Sequence, residues 1–423
     1  MNVTSIDKRR PASTYEAAWL PTGLRFIDTL RVGRMLGRLR EVDALMQELN
    51  SRLRHATSRT FAASQFVIGV AVRRPVAARY VMTTLASEAD IVKAKIDMKI
   101  LVTGSAGHLG EALMRSLEGT SHEATGLDIK SSPFTGREGS IAERSFVKRC
   151  LQGVDVVLHT ATLHKPHIAS HTRQDFVDTN ITGTLNLLEE AVSAGVRSFV
   201  FTSTTSVFGH ALTPPAGAPA AWITEEVVPV PKNIYGLTKL AAENLCELLQ
   251  QSSGLPCIVL RTSRFFPEED DNRTARLAFD EANLKVNEFL YRRADIEDVV
   301  SAHLLAMQMA PMIGFGRYII SATTPFTPDD LKGLRQDAPS VVRRHAPCYE
   351  LEYRRRGWSM LPAIDRVYVN QLARAQLGWQ PRYDFGLVID RLRASEDFRS
   401  PLARAVGSKG YHAKVFSEGP YPT

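Results

Sequence analysis

The chain has 423 residues, 44% of them hydrophobic, which is enough for more than one packed core because single cores stop growing near about 250 to 300 residues. The net charge of +7 comes from residues 1–97, which contain 16 Lys and Arg against 9 Asp and Glu, whereas the remainder contains 36 of each, so no nucleic-acid partner is expected for the main body. The four cysteines form no C-x-x-C pair, which argues against a zinc site or a disulfide framework and favours a reducing cytoplasm.

Residues 1–97 are Arg-rich and show no alternation of strand and helix patterns. Their longest apolar run, 66–72, is far shorter than the roughly 20 residues that span a bilayer, so we expect no membrane association. Apolar residues at three- and four-residue spacing predict one amphipathic helix within 27–53. This helix could join two copies of the chain into a homodimer, or it could be a targeting element. A dispensable extension is the favoured alternative, since Met98 directly precedes the first strand.

Strand and helix patterns alternate regularly from Met98 onward. They predict strands at 99–103, 125–128, 154–159, 198–202 and 257–261, and helices at 109–117, 180–194 and 235–251. This alternation is typical of an α/β, doubly wound parallel sheet of the Rossmann type. We assign 98–265 to that domain. Residues 266–423, where the pattern is less regular, are predicted to be mainly a smaller mixed substrate-binding region, with about 295–325 returning to the Rossmann domain.

A glycine-rich loop lies between the first predicted strand and the first predicted helix. It reads T-G-S-A-G-H-L-G and contains Gly104, Gly107, His108, Leu109 and Gly110. Glycines are needed at such a turn because the backbone bends tightly and approaches a pyrophosphate closely at the start of the helix. The loop therefore predicts a dinucleotide-binding site.

Asp128 ends the second predicted strand, 24 residues after Gly104. A carboxylate at this point accepts hydrogen bonds from both hydroxyls of the adenosine ribose and repels a 2′-phosphate. Lys130 is a counter-argument, but a lysine just after a strand is usually solvated. The pattern favours NAD over NADP as cofactor.

Tyr235 and Lys239 stand at i and i+4, so they are neighbours on one face of the predicted helix 235–251. A nearby ammonium and the positive ring of an oxidised nicotinamide both favour the phenolate, which should lower the tyrosine pKa from about 10 toward neutrality. Tyr235 is therefore predicted to exchange a proton with a substrate hydroxyl.

These motifs together resemble the extended short-chain dehydrogenase/reductase superfamily, specifically the NAD-dependent epimerase/dehydratase family. The resemblance covers Met98 to about Leu392 and includes the strand D-V-V-L-H-T-A, the helix N-x-x-G-T-x-N-L-L, the segment T-S-T-T-S-V-F-G and L-G-W-Q-P near the C-terminus. It implies that Thr204 is the hydroxyl partner of the catalytic tyrosine, and that Ala161 and Asn180 belong to the cofactor site. A slip of one residue would place Ser203 or Thr205 there instead.

Two departures from the family pattern bear on the substrate. Sugar-nucleotide dehydratases carry Asp-Glu after the catalytic threonine, whereas this chain has Thr205-Ser206, so sugar dehydration is not expected. Family members that bind nucleotide sugars commonly have Asn where Arg264 stands and Arg one position before Arg292. Arg264, Arg292 and Arg293 are nevertheless predicted to line the substrate side.

The resemblance implies an NAD-dependent epimerase that acts on a small molecule, with a nucleotide sugar such as a UDP-hexose as the expected substrate. Tyr235 would exchange the hydroxyl proton, Lys239 would hold the nicotinamide ribose, and Thr204 would bind the reacting oxygen. The alternative is an NAD(P)-dependent dehydrogenase or reductase of a secondary alcohol or ketone, which uses the same three residues. A third alternative, a non-catalytic NAD sensor, leaves these residues unexplained.

His164 and His167 follow the predicted strand 154–159 at a spacing that suggests a metal site. Pro166 is expected to break the helix that would present them together, and no acidic residue is close in sequence. We predict no metal and interpret this segment as an exposed or substrate-lining loop.

Overall fold

The computed structural model describes residues 97–410 and Phe416, so the predictions for the N-terminal extension and its helix within 27–53 lie outside it. Nine strands are found in the described part. They are β1 (Lys99–Thr103), β2 (Glu123–Asp128), β3 (Arg137–Glu138), β4 (Val156–His159), β5 (Ser198–Thr204), β6 (Ala221–Ile223), β7 (Cys257–Thr262), β8 (Phe315–Ile320) and β9 (Arg366–Tyr368).

Seven of these strands form one parallel sheet in the order β3-β2-β1-β4-β5-β7-β8. The direction of winding reverses between β1 and β4, which are neighbours in the sheet although β2 and β3 lie between them in sequence. Open α/β sheets bind ligands beyond the carboxyl ends of the strands at such a reversal. The predicted doubly wound parallel sheet is confirmed.

The helices in the same part of the chain connect the strands or cover the sheet. They are α1 (His108–Leu117), α2 (Arg144–Cys150), α3 (Arg173–Phe176), α4 (Gly183–Ala194), α5 (Ile234–Ser253), α6 (Arg273–Ala278), α7 (Glu281–Glu288), α8 (Ile296–Ile313), α9 (Leu331–Gln336), α10 (Ala338–His345), α11 (Tyr349–Arg356), α12 (Gln371–Leu377), α13 (Phe385–Arg393) and α14 (Pro401–Val406). None of the helices found in this part is long and apolar enough to cross a lipid bilayer.

Both faces of the large sheet are buried, because successive side chains of a strand point to opposite faces. Ile100 and Val102 of β1 belong to a core that includes Val299 and Ala306 of α8. Leu101, between them, belongs to the opposite core, formed with side chains of α2, α4 and α5. Near-continuous apolar strands are the sequence signature of this double burial.

A third core lies in the C-terminal half, built by α7 and the helices α9, α10, α11 and α13. The short parallel pair β6–β9 joins this region to the segment after β5, with Trp222 opposite Val367. Two elements of the same half are instead part of the layers around the large sheet. β8 is a strand of the sheet and pairs with β7, and α8 packs on the sheet face beside β5. The short and irregular elements explain why the sequence pattern weakens after Phe266.

The predicted elements from 98 to 265 all exist, with shifts of a few residues at their ends. β5 extends two residues further than predicted, to Thr204, because its last residues continue to pair with β7. The predicted helix 180–194 begins instead as a π-helical segment, Val177–Thr182, and continues as α4. π-Helical segments are rare and often occur at functional sites.

Candidate active site

A cavity of about 700 Å³ opens at the carboxyl ends of the parallel strands. It is lined by the glycine loop after β1, the end of β2, the segments after β4 and β5, and the segment after β7. We call it the Tyr235 cavity; its defining residues are Gly104, Asp128, Thr204, Tyr235 and Arg264. Strand ends from distant parts of the sequence meet here because all seven strands run in one direction.

The glycine loop requires glycine at two of its positions. Gly104 has a φ of +76°, in the left-handed region where a side chain is strained. A Cβ on Gly110 would lie 1.9 Å from the carbonyl oxygen of Gly104, so helix α1 packs against the loop only without one. The backbone thus follows the tight turn and close packing expected of a loop that cradles a pyrophosphate.

Asp128 braces this loop from the end of β2. Its Oδ2 accepts a hydrogen bond from the backbone N–H of Ala106 at 3.0 Å, and its Oδ1 accepts one from the backbone N–H of Lys130 at 2.9 Å. The carboxylate is half-buried and lines the Tyr235 cavity. Asp128 therefore places a fixed negative charge beside the turn between β1 and α1.

The Thr204 hydroxyl and the Tyr235 phenol lie beside one another in the cavity. Thr204 ends β5, and its Oγ1 accepts from the backbone N–H of Ser206 at 3.1 Å. Tyr235 lies in the first turn of α5, which Asn233 caps by accepting from the backbone N–H of Gly236 at 3.0 Å. Burial raises the pKa of Tyr235 to about 12, although the Thr204 hydroxyl acts in the opposite direction.

Lys239 is 2% exposed, and its Nζ lies 4.0 Å from the centre of the Phe201 ring. Burial lowers the pKa of Lys239 to about 7, while the nearby Glu243 carboxylate acts in the opposite direction. Lys239 was predicted to lower the pKa of Tyr235, but burial dominates the pKa of both groups in the structure. The two side chains are thus both buried, and Tyr235 is the one that lines the cavity.

The hydroxyls of Ser203 and Thr204 have different partners. Ser203 donates to Glu243 on α5, whereas Thr204 contacts Tyr235. The two side chains diverge because neighbouring residues of a strand point to opposite faces. The alternative that a one-residue slip exchanges their roles is therefore not favoured by this geometry.

Asn180 is a buried clamp between two segments of the site. Its Oδ1 accepts from the backbone N–H of Leu163 at 2.8 Å, and its Nδ2 donates to the hydroxyl of Thr238 at 3.0 Å. Asn180 does not line the Tyr235 cavity, but Leu163 does, and Thr238 immediately precedes Lys239. Asn180 thereby fixes the loop after β4 to helix α5.

Ala161 lies against the glycine loop at the end of β4. Its backbone N–H donates to the hydroxyl of Thr103 at 3.2 Å, and the residue lines the Tyr235 cavity. A Cβ on Gly104 would lie 2.7 Å from the Ala161 nitrogen, so the two backbones are in direct contact. This contact makes β4 a second support of the turn.

The arginine predicted after β7 is paired with acidic residues. Arg264 lines the Tyr235 cavity and forms ion pairs with Asp270, with Asp271 at 3.1 Å and with Glu288 at 3.3 Å. Asp271 also contacts Lys165, which lies in the loop after β4. The pKa of Asp271 is lowered, since Arg264 and Lys165 outweigh the effect of burial.

The two following arginines differ in location. Arg292 also lines the cavity and pairs with Asp270 at 3.0 Å and Glu288 at 2.6 Å. Arg293 is buried, pairs with Glu288 at 2.8 Å and lines a neighbouring cavity of about 940 Å³. Burial would raise the pKa of Glu288, but the three arginines outweigh it and hold it at about 2. The structure therefore brings Arg264 and Arg292 to the cavity that holds Tyr235, and Arg293 to the neighbouring one.

Several residues of this cavity were not predicted from the sequence. Arg366 and Tyr368 reach it from β9, and Lys409 and Gly410 reach it from beyond the last helix. Their distance of 130 residues or more from Tyr235 leaves no local signal. Glu268, Asp270 and Asp271 form part of an acidic run whose role the sequence pattern does not indicate, although Arg264 lies close to it in sequence.

The segment after β4 does not behave as predicted at Pro166. Residues Lys165–Ala169 form a short helical turn, and Pro166 lies in its first turn without breaking it, because a proline there has no intrahelical partner to lose. The backbone N–H of His164 donates to His167 Nδ1 at 2.9 Å, and the His164 ring lies 6.1 Å from the Tyr235 ring. Within residues 97–410 and Phe416, no group of three or more His, Cys, Asp or Glu is arranged to hold a metal.

Comparison with known proteins shows which family the chain belongs to. The sequence model of the NAD dependent epimerase/dehydratase family matches residues 100–317, just over half of the chain. The chain therefore belongs to the NAD dependent epimerase/dehydratase family, and the resemblance seen in the sequence is confirmed. The match begins in β1 and ends in β8, so it spans all seven strands of the sheet.

Individual relatives agree with this placement. An uncharacterized UDP-glucose epimerase of Bacillus subtilis is 32% identical over 39% of this chain, and the match covers 55%, about half, of that relative. A UDP-glucose 4-epimerase of Streptomyces lividans is 26% identical over 69% of this chain and 94% of its own. A short-chain dehydrogenase/reductase structure from Agrobacterium tumefaciens, with bound NAD, has a TM-score of 0.51 at 22% identity, covering 73% of this chain and 96% of its own. That last likeness supports the fold.

Proposed function

We propose that the protein is an NAD-dependent epimerase that inverts a hydroxyl-bearing carbon of a nucleotide sugar. The observation that carries the proposal is that Tyr235 and Thr204 line the same cavity as the glycine loop and Asp128. A proton-exchanging phenol beside a dinucleotide loop is the arrangement that hydride chemistry on an alcohol requires. The family membership and the UDP-glucose 4-epimerase relative support the same assignment.

The residues around the glycine loop fit NAD. Gly104 and Gly110 let the loop turn tightly against β4 and α1, since side chains there would collide with the backbone. This turn would present the start of α1 to a pyrophosphate. The Asp128 carboxylate faces the cavity and would repel the 2′-phosphate of NADP. When bound, NAD supplies a hydride acceptor for the carbon that carries the reacting hydroxyl.

Three side chains would handle the substrate hydroxyl. Tyr235 acts as the phenolate, which Lys239 and the positive nicotinamide ring of bound NAD would favour. It takes the hydroxyl proton when the carbon loses its hydride and returns it when the hydride adds to the other face, while Thr204 holds the reacting oxygen. Lys239 supplies a positive charge behind Tyr235, and Glu243 one helical turn later favours that charge. Phe201 is fully buried and its ring lies against the Lys239 ammonium, so water is kept away from that charge.

The substrate side of the cavity carries basic groups suited to a diphosphate. Arg264, Arg292 and Arg366 all line it together with Lys165. Arg264 and Arg292 share the carboxylates of Asp270 and Glu288, which lie behind them and outside the cavity lining. A phosphate would add hydrogen-bond acceptors to guanidinium groups that are already oriented. This arrangement supports a nucleotide sugar over a neutral alcohol.

A dehydrogenase of a secondary alcohol or ketone uses the same Tyr235, Lys239 and Thr204, so the outcome of the reaction distinguishes the two. Purified full-length protein is incubated with UDP-glucose, and the formation of its 4-epimer and the absorbance of reduced nicotinamide are followed together. We expect an equilibrium mixture of epimers without net cofactor reduction. Reduction in proportion to substrate consumed would establish the dehydrogenase. Failure to bind NAD, or to convert any member of a panel of UDP-hexoses, would refute the proposal.

A further inference from the structure

The segment after α14 reaches the Tyr235 cavity at the glycine loop. Lys409 and Gly410 line this cavity together with Gly104, Gly107 and His108. This segment, residues 407–410, is called here the C-terminal strap. It follows Val406, which is buried in the core beside α1 and α8, so its starting point is fixed by packing.

A single buried carboxylate holds the strap in place. Oε1 of Glu268 accepts hydrogen bonds from the Ser408 hydroxyl at 2.9 Å and from the backbone N–H groups of Lys409 and Gly410 at 3.0 and 3.3 Å. The Glu268 side chain is only 7% exposed. Three consecutive residues of the strap therefore depend on one acidic side chain from the segment after β7.

The same carboxylate contacts the cofactor loop. Nε2 of His108, the first residue of α1, lies 2.7 Å from Oε1 of Glu268. Burial alone would raise the pKa of Glu268, but the hydrogen bonds from His108 and Ser408 and the charge of His108 hold it at about 2. The ionised carboxylate thus accepts from the loop on one side and from the strap on the other.

A second contact fixes the strap further along α1. The Lys409 ammonium pairs with Glu111, which is one turn after His108 and also binds Arg115 at 2.8 Å. Glu111 is largely buried, and Lys409 and Arg115 outweigh the effect of burial and lower its pKa. The strap is therefore attached to the first turn of α1 at two points, through Glu268 and through Glu111.

We propose that the C-terminal strap is a wall of the dinucleotide site that slows release of the cofactor, and that Glu268 is the positioning residue that holds it there. The identity of the ligand rests on the proposed function. An epimerase returns its hydride to the same substrate molecule, so a cofactor that stays bound between turnovers suits its chemistry. Glu268 touches neither the reacting atoms nor Tyr235; it acts through His108 and the strap.

The test compares NAD dissociation rates of the full-length protein and three variants. Glu268→Gln keeps the side-chain shape but removes the charge that its donors bind, and Lys409→Met removes the contact with Glu111. Glu269→Gln is the matched control, because Glu269 neighbours Glu268 but is 57% exposed and lies 3.9 Å from its partner Arg276. We expect at least about tenfold faster dissociation for Glu268→Gln, a smaller increase for Lys409→Met, and no change for Glu269→Gln.

The readouts separate this role from a general structural one. Turnover at saturating NAD should stay within about twofold of the original protein in both strap variants, while the NAD concentration needed for half-maximal activity rises. Unchanged dissociation rates in folded Glu268→Gln and Lys409→Met would overturn the strap proposal and leave the proposed function intact. If Glu268→Gln does not fold, Lys409→Met alone decides. An original protein that binds no NAD would overturn both proposals.

Discussion

Glu243 of α5 and Arg261 of β7 form a buried ion pair, with Arg261 Nη2 2.8 Å from Glu243 Oε2. Both side chains are almost completely buried, at 0% and 3% exposure. Glu243 also accepts a hydrogen bond from the Ser203 hydroxyl, and its charge opposes the effect of burial, which lowers the pKa of Lys239. The pair therefore joins β5, β7 and α5 directly behind the proposed catalytic residues.

Glu243→Gln should destabilise the protein by about 3 to 5 kcal/mol, because it leaves the Arg261 charge buried without its counter-charge. Denaturant unfolding measures this loss. Glu247→Gln is the matched control on the same helix, since Glu247 is 37% exposed and pairs with Arg317. It should change the free energy of unfolding by less than about 1 kcal/mol. Equal effects of the two variants would contradict the importance assigned to the buried pair.

Tyr235→Phe should retain the fold and NAD binding while turnover falls at least about a hundredfold, the lower range for removing a general acid or base. The change removes one hydroxyl from a side chain that is 7% exposed, so the core keeps its volume. Steady-state kinetics and NAD titration check both parts. Activity close to that of the original protein would remove Tyr235 from the catalytic assignment.

Lys239 should make stability increase with pH between about 7 and 10. Its pKa falls from 10.5 to about 7 on folding, so in this window the unfolded chain binds a proton that the folded chain has lost. The free energy of unfolding should rise by at most about 1.4 kcal/mol per pH unit from this group. Tyr235 acts oppositely above pH 10, because burial raises its pKa to about 12.

Comparison with Lys239→Met isolates this contribution. The free energies of unfolding of the two proteins, measured from pH 6 to pH 10, should converge or cross as the pH rises. Only the original protein has a Lys239 ammonium that loses its proton in this range. Parallel pH dependences would show that Lys239 titrates normally in the folded protein.

Asp128→Ala should narrow the difference between NAD and NADP affinities. The variant removes the negative charge that opposes a 2′-phosphate, and it also frees the backbone N–H of Ala106, so NAD affinity should fall as well. Isothermal titration with both dinucleotides measures the ratio. Tighter binding of NADP than NAD by the original protein would contradict the assigned cofactor preference.

A chain that starts at Met98 should keep the melting temperature and specific activity of the full chain. All seven strands of the large sheet lie between Lys99 and Ile320. Residues 1–97 carry an excess of positive charge, whereas the rest of the sequence has equal numbers of basic and acidic residues and so no opposite excess. Thermal unfolding and activity assays of both chains test this. An insoluble or much less stable shorter chain would make the predicted helix within 27–53 an oligomerisation element.

The sequence by itself determined the alternating elements of the Rossmann sheet and the positions of Gly104, Asp128 and Tyr235. These features are local: a buried strand needs a continuous apolar run, a tight turn needs glycine, and a helix places residues i and i+4 side by side. Chain order then fixes which strand end each of them occupies. No long-range contact had to be known to predict them.

Only the tertiary structure decided which groups face one another across the cavity. Ser203 and Thr204 are adjacent, yet one hydroxyl goes to Glu243 and the other to Tyr235, and the strand register with β7 sets this choice. Glu268 meets His108 across 160 residues, and Lys409 meets Glu111 across 298. Such ion pairs leave no periodic pattern in the sequence, because they depend on where whole elements pack and not on the spacing of residues along one of them.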